Sequence, residues 1–338
     1  MLTIAVENST WNNMGDAFYQ TSLQRILQAQ LPQHRVVSFD GPIKRGFRPG
    51  RFGRHSFDVR TWTHADHYVF SGPIFHRFVE TYGDLIKAIV DKGSTYSFIS
   101  VHSNTYDWEL PNLRSFLTNY PPKAIHTRDR YTYDKIGDLA KESLDGICFA
   151  FFVRYLDGIP DLAPRDPYLC SSFHSIREPV LTCDPAPDEK SFVGSAVSFE
   201  LKKANIPWRW DRHLDFKRAY PLKLGHWSII RPVHGLYGFS HLVFSRPNSY
   251  VTYNPLNFLS IYKHCDGVLT DRVHAGVVAL SFGRPVRLLA VDKRFELFSN
   301  APITRTDGIF EIDNRELAKQ YERHTDWIRN NLLSAILT

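Results

Sequence analysis

The sequence predicts an α/β protein made of two Rossmann-like, doubly wound domains that face one another. Three observations carry this. Short runs of strand-forming apolar residues alternate along the chain with stretches long enough for amphipathic helices. The 338 residues exceed what one hydrophobic core usually serves. Finally, KHCDGVLTDRVHAGVVALSFGRPVRLLAV, residues 263–291, reads as strand, loop, helix, turn, strand, which is a βαβ unit with parallel strands.

The first domain is placed at residues 1–156. Leu2 to Val6 is a buried strand, and ENSTWNNMGD, residues 7–16, is a polar loop. Ala17 to Gln30 has the spacing of an amphipathic helix, with Asp16 expected as its N-cap. Arg35 to Phe39 is a second strand. A basic loop follows from Lys44 to Arg60, with Arg45, Arg48, Arg51, Arg54 and His55 among glycines and aromatics. It suits an acidic glycan or RNA, or simply a solvated surface. His67 to Phe70 is a third strand, with Ser71-Gly72-Pro73 at its carboxyl end. Tyr82 to Lys92 is a helix stopped by Gly93, and Tyr96 to Val101 is a fourth strand running into His102-Ser103-Asn104. Ala124 to Thr127 is a fifth strand leading to Arg128-Asp129. The apolar run ICFAFFV, Ile147 to Val153, is expected to be a sixth, fully buried strand.

Residues 157–190 are rich in proline and short polar side chains and read as a linker. The second domain is placed at 191–312. Trp227 to Pro232 is a strand with Arg231 inside it and His234 just beyond. Asn257 to Cys265 is a short helix before the βαβ unit: strand Gly267–Thr270, helix Ala275–Phe282, stop at Gly283-Arg284-Pro285, strand Val286–Val291. Arg272 and His274 thus fall in the loop at the carboxyl end of a parallel strand. Ligands bind there in open α/β sheets, and a helix N-terminus favours anions. The plainer alternative pairs Arg272 with Asp271 and lets His274 cap the helix. Residues 313–338 carry an amphipathic helix, Glu316 to Leu333, expected to pack back on the first domain.

Composition narrows the function classes. Hydrophobic content of 43% and charged content of 22% are those of a soluble globular chain. The net charge of +6 suits an anionic substrate, an acidic polymer or peripheral contact with a membrane surface. No basic run is dense enough to predict a nucleic-acid partner. Cys148, Cys170, Cys183 and Cys265 are far apart with no CxxC spacing, which argues against a zinc site and for a reducing, cytoplasmic setting. MLTIAVENST has neither a charged n-region nor an apolar h-region, so no signal peptide is expected, and no run approaches the length of a membrane span.

Four segments, in order, resemble one known family. DRVHAGVVALSFGRPVRLL is similar to the Arg-Leu-His-Ala segment, small-residue helix and Gly-x-Pro of the polysaccharide pyruvyl transferases. NNMGDAFYQTSLQRIL resembles their opening Asn-x-Gly-Asp loop and helix. HTRDRYTYDKIG resembles their Arg-Asp-x-x-Ser/Thr segment, and VDKRFELF their lysine-bearing stretch. The resemblance implies a GT-B-like pair of domains across a cleft. It implies ligand roles for Asn13, Gly15, Gly72 and Lys293, with Asp16 beside them, and brings Arg128 to the cleft. The sequence departs from the family at Ser71 and His102, where glycines are usual. His102 therefore reads as a second acid/base, a substrate contact or a surface histidine.

The reaction that the resemblance implies builds a pyruvate ketal from phosphoenolpyruvate across two hydroxyls of a glycan or lipid-linked saccharide, with no separate cofactor. Fixed arginines suit a donor carrying a carboxylate and a phosphate. Arg272 and Arg128 are the expected grip, with Lys293 and Arg231 as further cations. A group titrating near neutrality suits the proton transfers, and His274 is the candidate. The chain shows no carboxylate–histidine cluster, so no metal is expected. Two rivals remain open: a GT-B glycosyltransferase using a nucleotide sugar, and a catalytically idle carbohydrate-binding protein of the same fold.

Overall fold

A computed structural model describes residues 1–8, 13–40, 64–162, 164–173, 176, 178–183, 197–200, 220–235, 247–289 and 293–337. The basic loop 44–60 lies outside the described residues. The first sheet holds β1 (Thr3–Asn8), β2 (Arg35–Asp40), β3 (His67–Gly72), β4 (Thr95–Val101), β5 (Ala124–Thr127) and β6 (Glu142–Asp145). Their spatial order is β2-β1-β3-β4-β5-β6, and every pairing is parallel. Helices α1 (Met14–Gln30), α2 (Phe78–Asp91), α3 (Leu110–Asn119) and α4 (Arg130–Ile136) connect them. The winding reverses between β1 and β3, so their carboxyl ends flank a topological switch point, where open α/β sheets bind ligands.

The second sheet contains β7 (Tyr168–Ser172), while β8 (Val180–Cys183) and β9 (Val197–Glu200) form a separate antiparallel pair. Next come β10 (Lys223–Leu224), β11 (Trp227–Pro232), β12 (Ser249–Tyr250), β13 (Gly267–Thr270), β14 (Val286–Leu288), β15 (Ile303–Thr306) and β16 (Ile309–Ile312). The order is β10-β11-β7-β13-β14-β16-β15, with β12 also on β11. The centre is parallel and the rims are antiparallel. Helix α5 (Pro255–His264) precedes β13, α6 (Val273–Ser281) joins β13 to β14, and α7 (Asn314–Trp327) runs through a π-turn into α8 (Leu333–Leu337). Helix α6 is buried on nearly every side, which explains its run of small and β-branched residues without an amphipathic pattern.

Two expectations are corrected. Ile147–Val153 is not a strand: Phe149–Tyr155 is a 3-10 helix. All five residues from Phe149 to Val153 are buried, between α1 on one side and α6 on the other. An apolar run buried all round gives no periodicity to tell strand from helix. The sheet edge is instead the half-polar β6. The stretch 157–190, read as a linker, contains β7, an interior strand of the second sheet that pairs on both sides. Its flanking prolines mark strand ends and not a flexible spacer.

One core runs through both halves. Ile4, Val6, Phe18 and Leu23 from the first half pack in one buried cluster with Phe149, Phe152, Val277, Val278, Leu317 and Trp327. Helix α7 returns to the first sheet. His324 accepts the Ile147 N–H on Nε2 at 3.1 Å and meets Gln320 O through Nδ1 at 2.6 Å, with its ring 4.8 Å from that of His126.

Burial holds the His324 and His67 imidazoles down to about 3, and His126, buried beside His324, well below its ordinary range. These rings refuse a proton in the folded state, whereas an unfolded histidine takes one near pH 6.5. Their contribution is intact above pH 6.5 and is lost as pH falls from there toward 3. At pH 5 the loss is of order 2 kcal/mol for each of His67 and His324. The urea midpoint is expected to drop clearly between pH 7.5 and pH 5; equal midpoints would contradict neutral burial of these rings.

Candidate active site

The site is assembled from strand ends of both sheets. Asn13, not Asp16, caps α1: its side-chain oxygen accepts the Gly15 N–H at 3.2 Å, and its amide donates to Asp16 Oδ2 at 3.2 Å. Asp16 sits one turn in and steadies the cap. This first turn is joined to the second half directly, for Met14 N–H donates to the His234 carbonyl at 2.7 Å, and Asn13 and Gly235 form a β-bridge. His234 itself is buried, its ring against Phe18 and its Nε2 2.7 Å from the Tyr262 hydroxyl.

The helix start presses on His274. A Cβ on Gly15 would lie 2.9 Å from His274 Nδ1 and 3.2 Å from its Cβ. No side chain fits between, so glycine is what lets the imidazole reach the α1 N-terminus. On the other side of the ring is Tyr19, with centroids 5.6 Å apart. Tyr19 also abuts Gly72 at the end of β3, whose φ of +85° favours glycine and whose Cβ position the Tyr19 hydroxyl already fills.

Arg128 completes the group. It follows β5, its N–H bonds Val101 O at 3.0 Å, and its guanidinium lies 5.7 Å from the centre of the Tyr19 ring. Arg128 is 3% exposed, and its Nε and Nη1 have no hydrogen-bond partner. No carboxylate among the described residues pairs with it. The Cys148 thiol beside it is pushed up by burial, an effect that the Arg128 charge partly offsets. A buried, uncompensated guanidinium is costly unless an anion completes it.

His102 follows β4, with its N–H on Gly72 O at 3.1 Å. It is buried, not a surface histidine, and its Nδ1 is 2.8 Å from Asp129 Oδ2. Asp129 caps α4, its other oxygen accepting the Thr132 N–H and hydroxyl. Arg128 and Asp129, though adjacent, form no ion pair with each other. Its neighbour Arg130 does pair locally, with Asp134 and Asp145 on the surface.

Arg272 and His274 open α6, where Arg272 is the N-cap residue and its N–H bonds Thr270 Oγ1 at 2.9 Å. Asp271, the suggested local partner of Arg272, is buried and accepts the Ile176 N–H at 2.8 Å. Arg231 departs from its expected ligand role. Its guanidinium is fully used inside the second half, on both oxygens of Glu178 and on the Pro247 and Pro221 carbonyls. Lys293 begins a 3-10 helix, and its side chain lies outside the described residues. Among the described residues no group of three metal-ligating side chains is placed to hold a metal ion, and no helix is long and apolar enough to cross a membrane. Tyr19 was missed by sequence reasoning because a tyrosine at helical spacing looks like any core aromatic. The glycine opposite it, Gly72, was the available signal.

Two doubly wound sheets with parallel centres, joined through α1 and presenting cationic and imidazole side chains from the strand ends of both, define a GT-B-like α/β protein. The model of the polysaccharide pyruvyl transferase family matches residues 13–293, and the chain belongs to that family of transferases. Solved structures with a similar fold include one described as a UDP-N-acetylglucosamine 2-epimerase from Listeria monocytogenes. It is 9% identical, with a TM-score of 0.45, over 85% of this chain and 79% of that one. Another is the ADP-heptose lipopolysaccharide heptosyltransferase II of E. coli, 10% identical, with a TM-score of 0.39, over 100% and 99%. No curated protein sequence matches the chain.

The contact between Gly15 and His274 is testable alone. Gly15→Ala is expected to keep the fold, at a cost of about 1–3 kcal/mol for the forced shift, and to move the His274 ring resonances. An unchanged His274 spectrum would mean that the helix start does not press on this ring.

Proposed function

We propose that the protein transfers the pyruvyl group of phosphoenolpyruvate to two hydroxyls of a glycan sugar, forming a ketal. One observation carries the reading: Arg128 is a buried guanidinium with two nitrogens unbonded and no carboxylate partner among the described residues, beside the Tyr19 ring that also meets His274. A donor with a carboxylate and a phosphate supplies the missing anion, and the planar fork of arginine takes either group bidentately. Arg272 at the α6 N-terminus adds a second cation and an open helix end from the opposite sheet, and Lys293 adds a point charge.

The chemistry then divides among the side chains. Arginines on both sides hold the donor and neutralise the charge that builds on its phosphate as the C–O bond breaks. His274, packed between Gly15 and Tyr19, gives a proton to the enol methylene carbon and recovers one from an attacking hydroxyl. Gly15 and Gly72 keep the walls of the cleft low, so backbone comes close to the ligand.

Arg128→Met separates stability from binding. Without ligand, the variant is expected to match or exceed the wild-type urea midpoint, because a desolvated charge is removed. With phosphoenolpyruvate at about a hundredfold excess over Kd, wild type should gain about 2.7 kcal/mol, and the variant should gain nothing. Equal stabilisation of both proteins would refute the donor assignment. His274→Ala should lower phosphate release by about 100-fold or more when phosphoenolpyruvate is offered with a panel of p-nitrophenyl hexosides. Release of a nucleoside diphosphate from a nucleotide sugar, with none of phosphate from phosphoenolpyruvate, would establish the glycosyltransferase alternative.

A further inference from the structure

A second imidazole stands at the same strand ends, and its surroundings are more specific than a substrate contact requires. His102 is 6% exposed and Asp129 is 0% exposed. The α4 cap needs only Oδ1 of Asp129, which takes both Thr132 donors at 2.8 and 2.7 Å. Oδ2 is left over, and it is spent on His102 Nδ1 at 2.8 Å. Burial pushes the Asp129 carboxyl up, but the His102 hydrogen bond and the two Thr132 bonds outweigh it, holding the group below its ordinary range. Asp129 is therefore a carboxylate, an acceptor only, so Nδ1 of His102 must carry the hydrogen. The lone pair then resides on Nε2, which makes no hydrogen bond with a described residue. A histidine held in one tautomer by a buried carboxylate, with its second nitrogen open, is built as a base.

Its address matches. The His102 N–H is anchored on Gly72 O, and Gly72 is the wall against which Tyr19 lies between Arg128 and His274. Arg128 and Asp129 are consecutive, so one turn at the end of β5 supplies both the anion grip and the group that orients His102.

We propose that His102 is a second proton-transfer group of this site and that Asp129 is its positioning residue. The inference rests on the donor reading above. In that reaction two protons leave the acceptor diol. One ends on the methylene carbon, which becomes methyl as the C=C π bond breaks. The other ends on the phosphate, which leaves as its C–O bond to the adjacent, carboxylate-bearing carbon breaks and two new C–O bonds form from that carbon to the sugar. His274 serves the carbon. Nε2 of His102 takes the proton of one hydroxyl and returns it to the departing phosphate.

The test uses the full chain with His102→Gln and Asp129→Asn. Asparagine also caps helices, so α4 is kept, while its amide donates to Nδ1 and drives the hydrogen to Nε2. In 15N-histidine spectra, wild type should show His102 with hydrogen on Nδ1 at neutral pH, and Asp129→Asn should reverse this. With phosphoenolpyruvate and the p-nitrophenyl hexosides, each variant should lose about 100-fold in kcat with donor affinity kept. The pH profile should lose one limb, and the double variant should be no worse than either single one. Wild-type kcat in His102→Gln, or a wild-type ring with its hydrogen on Nε2, would overturn the proposal. So would an Asp129→Asn protein that loses thermal stability but keeps the pH limb. If wild type releases no phosphate from phosphoenolpyruvate, the donor reading fails, and the tautomer measurement still decides the His102–Asp129 arrangement.

Discussion

The contact that everything else depends on is between the first turn of α1 and the second half of the chain. Met14 N–H on His234 O, the Asn13–Gly235 bridge and the close approach of Gly15 to His274 set the two sheets at one distance and one angle. Behind them, α1, the 3-10 helix Phe149–Tyr155 and α6 share a single apolar core. Domains in one chain usually meet over modest, polar interfaces and move relative to each other. Here the interface is continuous with the hydrophobic interior. The cleft residues are therefore placed by packing, and a reacting group displaced by even an ångström loses much of its effect.

Arginine charge is distributed unevenly over the fold. Several arginines are neutralised in place: Arg231 by Glu178, Arg114 by Asp138, Arg130 by Asp134 and Asp145. Arg128 has no such carboxylate among the described residues and is buried with two unbonded nitrogens beside an aromatic face. The adjacent carboxylate that might have quenched it, Asp129, is turned away to Thr132 and His102. The folded chain thus buries a positive charge that its own neighbouring acid does not compensate. Stability is given up locally, as functional sites commonly require.

Much of this was legible in the amino-acid order. Strands Ala124–Thr127, Trp227–Pro232 and Gly267–Thr270 fall where apolar runs bounded by turn residues put them, and the βα loop carrying Arg272 and His274 follows from the βαβ pattern. Local signals are enough when a short strand is bounded by breakers on both sides. They fail where burial is set by partners far along the chain. Ile147–Val153 looked like a strand because both halves enclose it, and Tyr168–Ser172 was hidden among prolines although it is an interior strand paired on both sides. Arg231 misled for a related reason: an arginine at a strand end reads the same whether or not a glutamate 53 residues away closes on it.

The departure from the family pattern at His102 now has a physical reading. With glycine at position 102 the loop after β4 would leave Asp129 Oδ2 without its bond to imidazole, a buried carboxylate oxygen short of a donor. Histidine fills that space and satisfies the oxygen through Nδ1. Such a change needs only the cap already present on α4 and no new backbone. A family scaffold that holds Asp129 as a helix cap has in place the orienting half of a histidine–carboxylate pair, and this chain supplies the other half from the neighbouring strand.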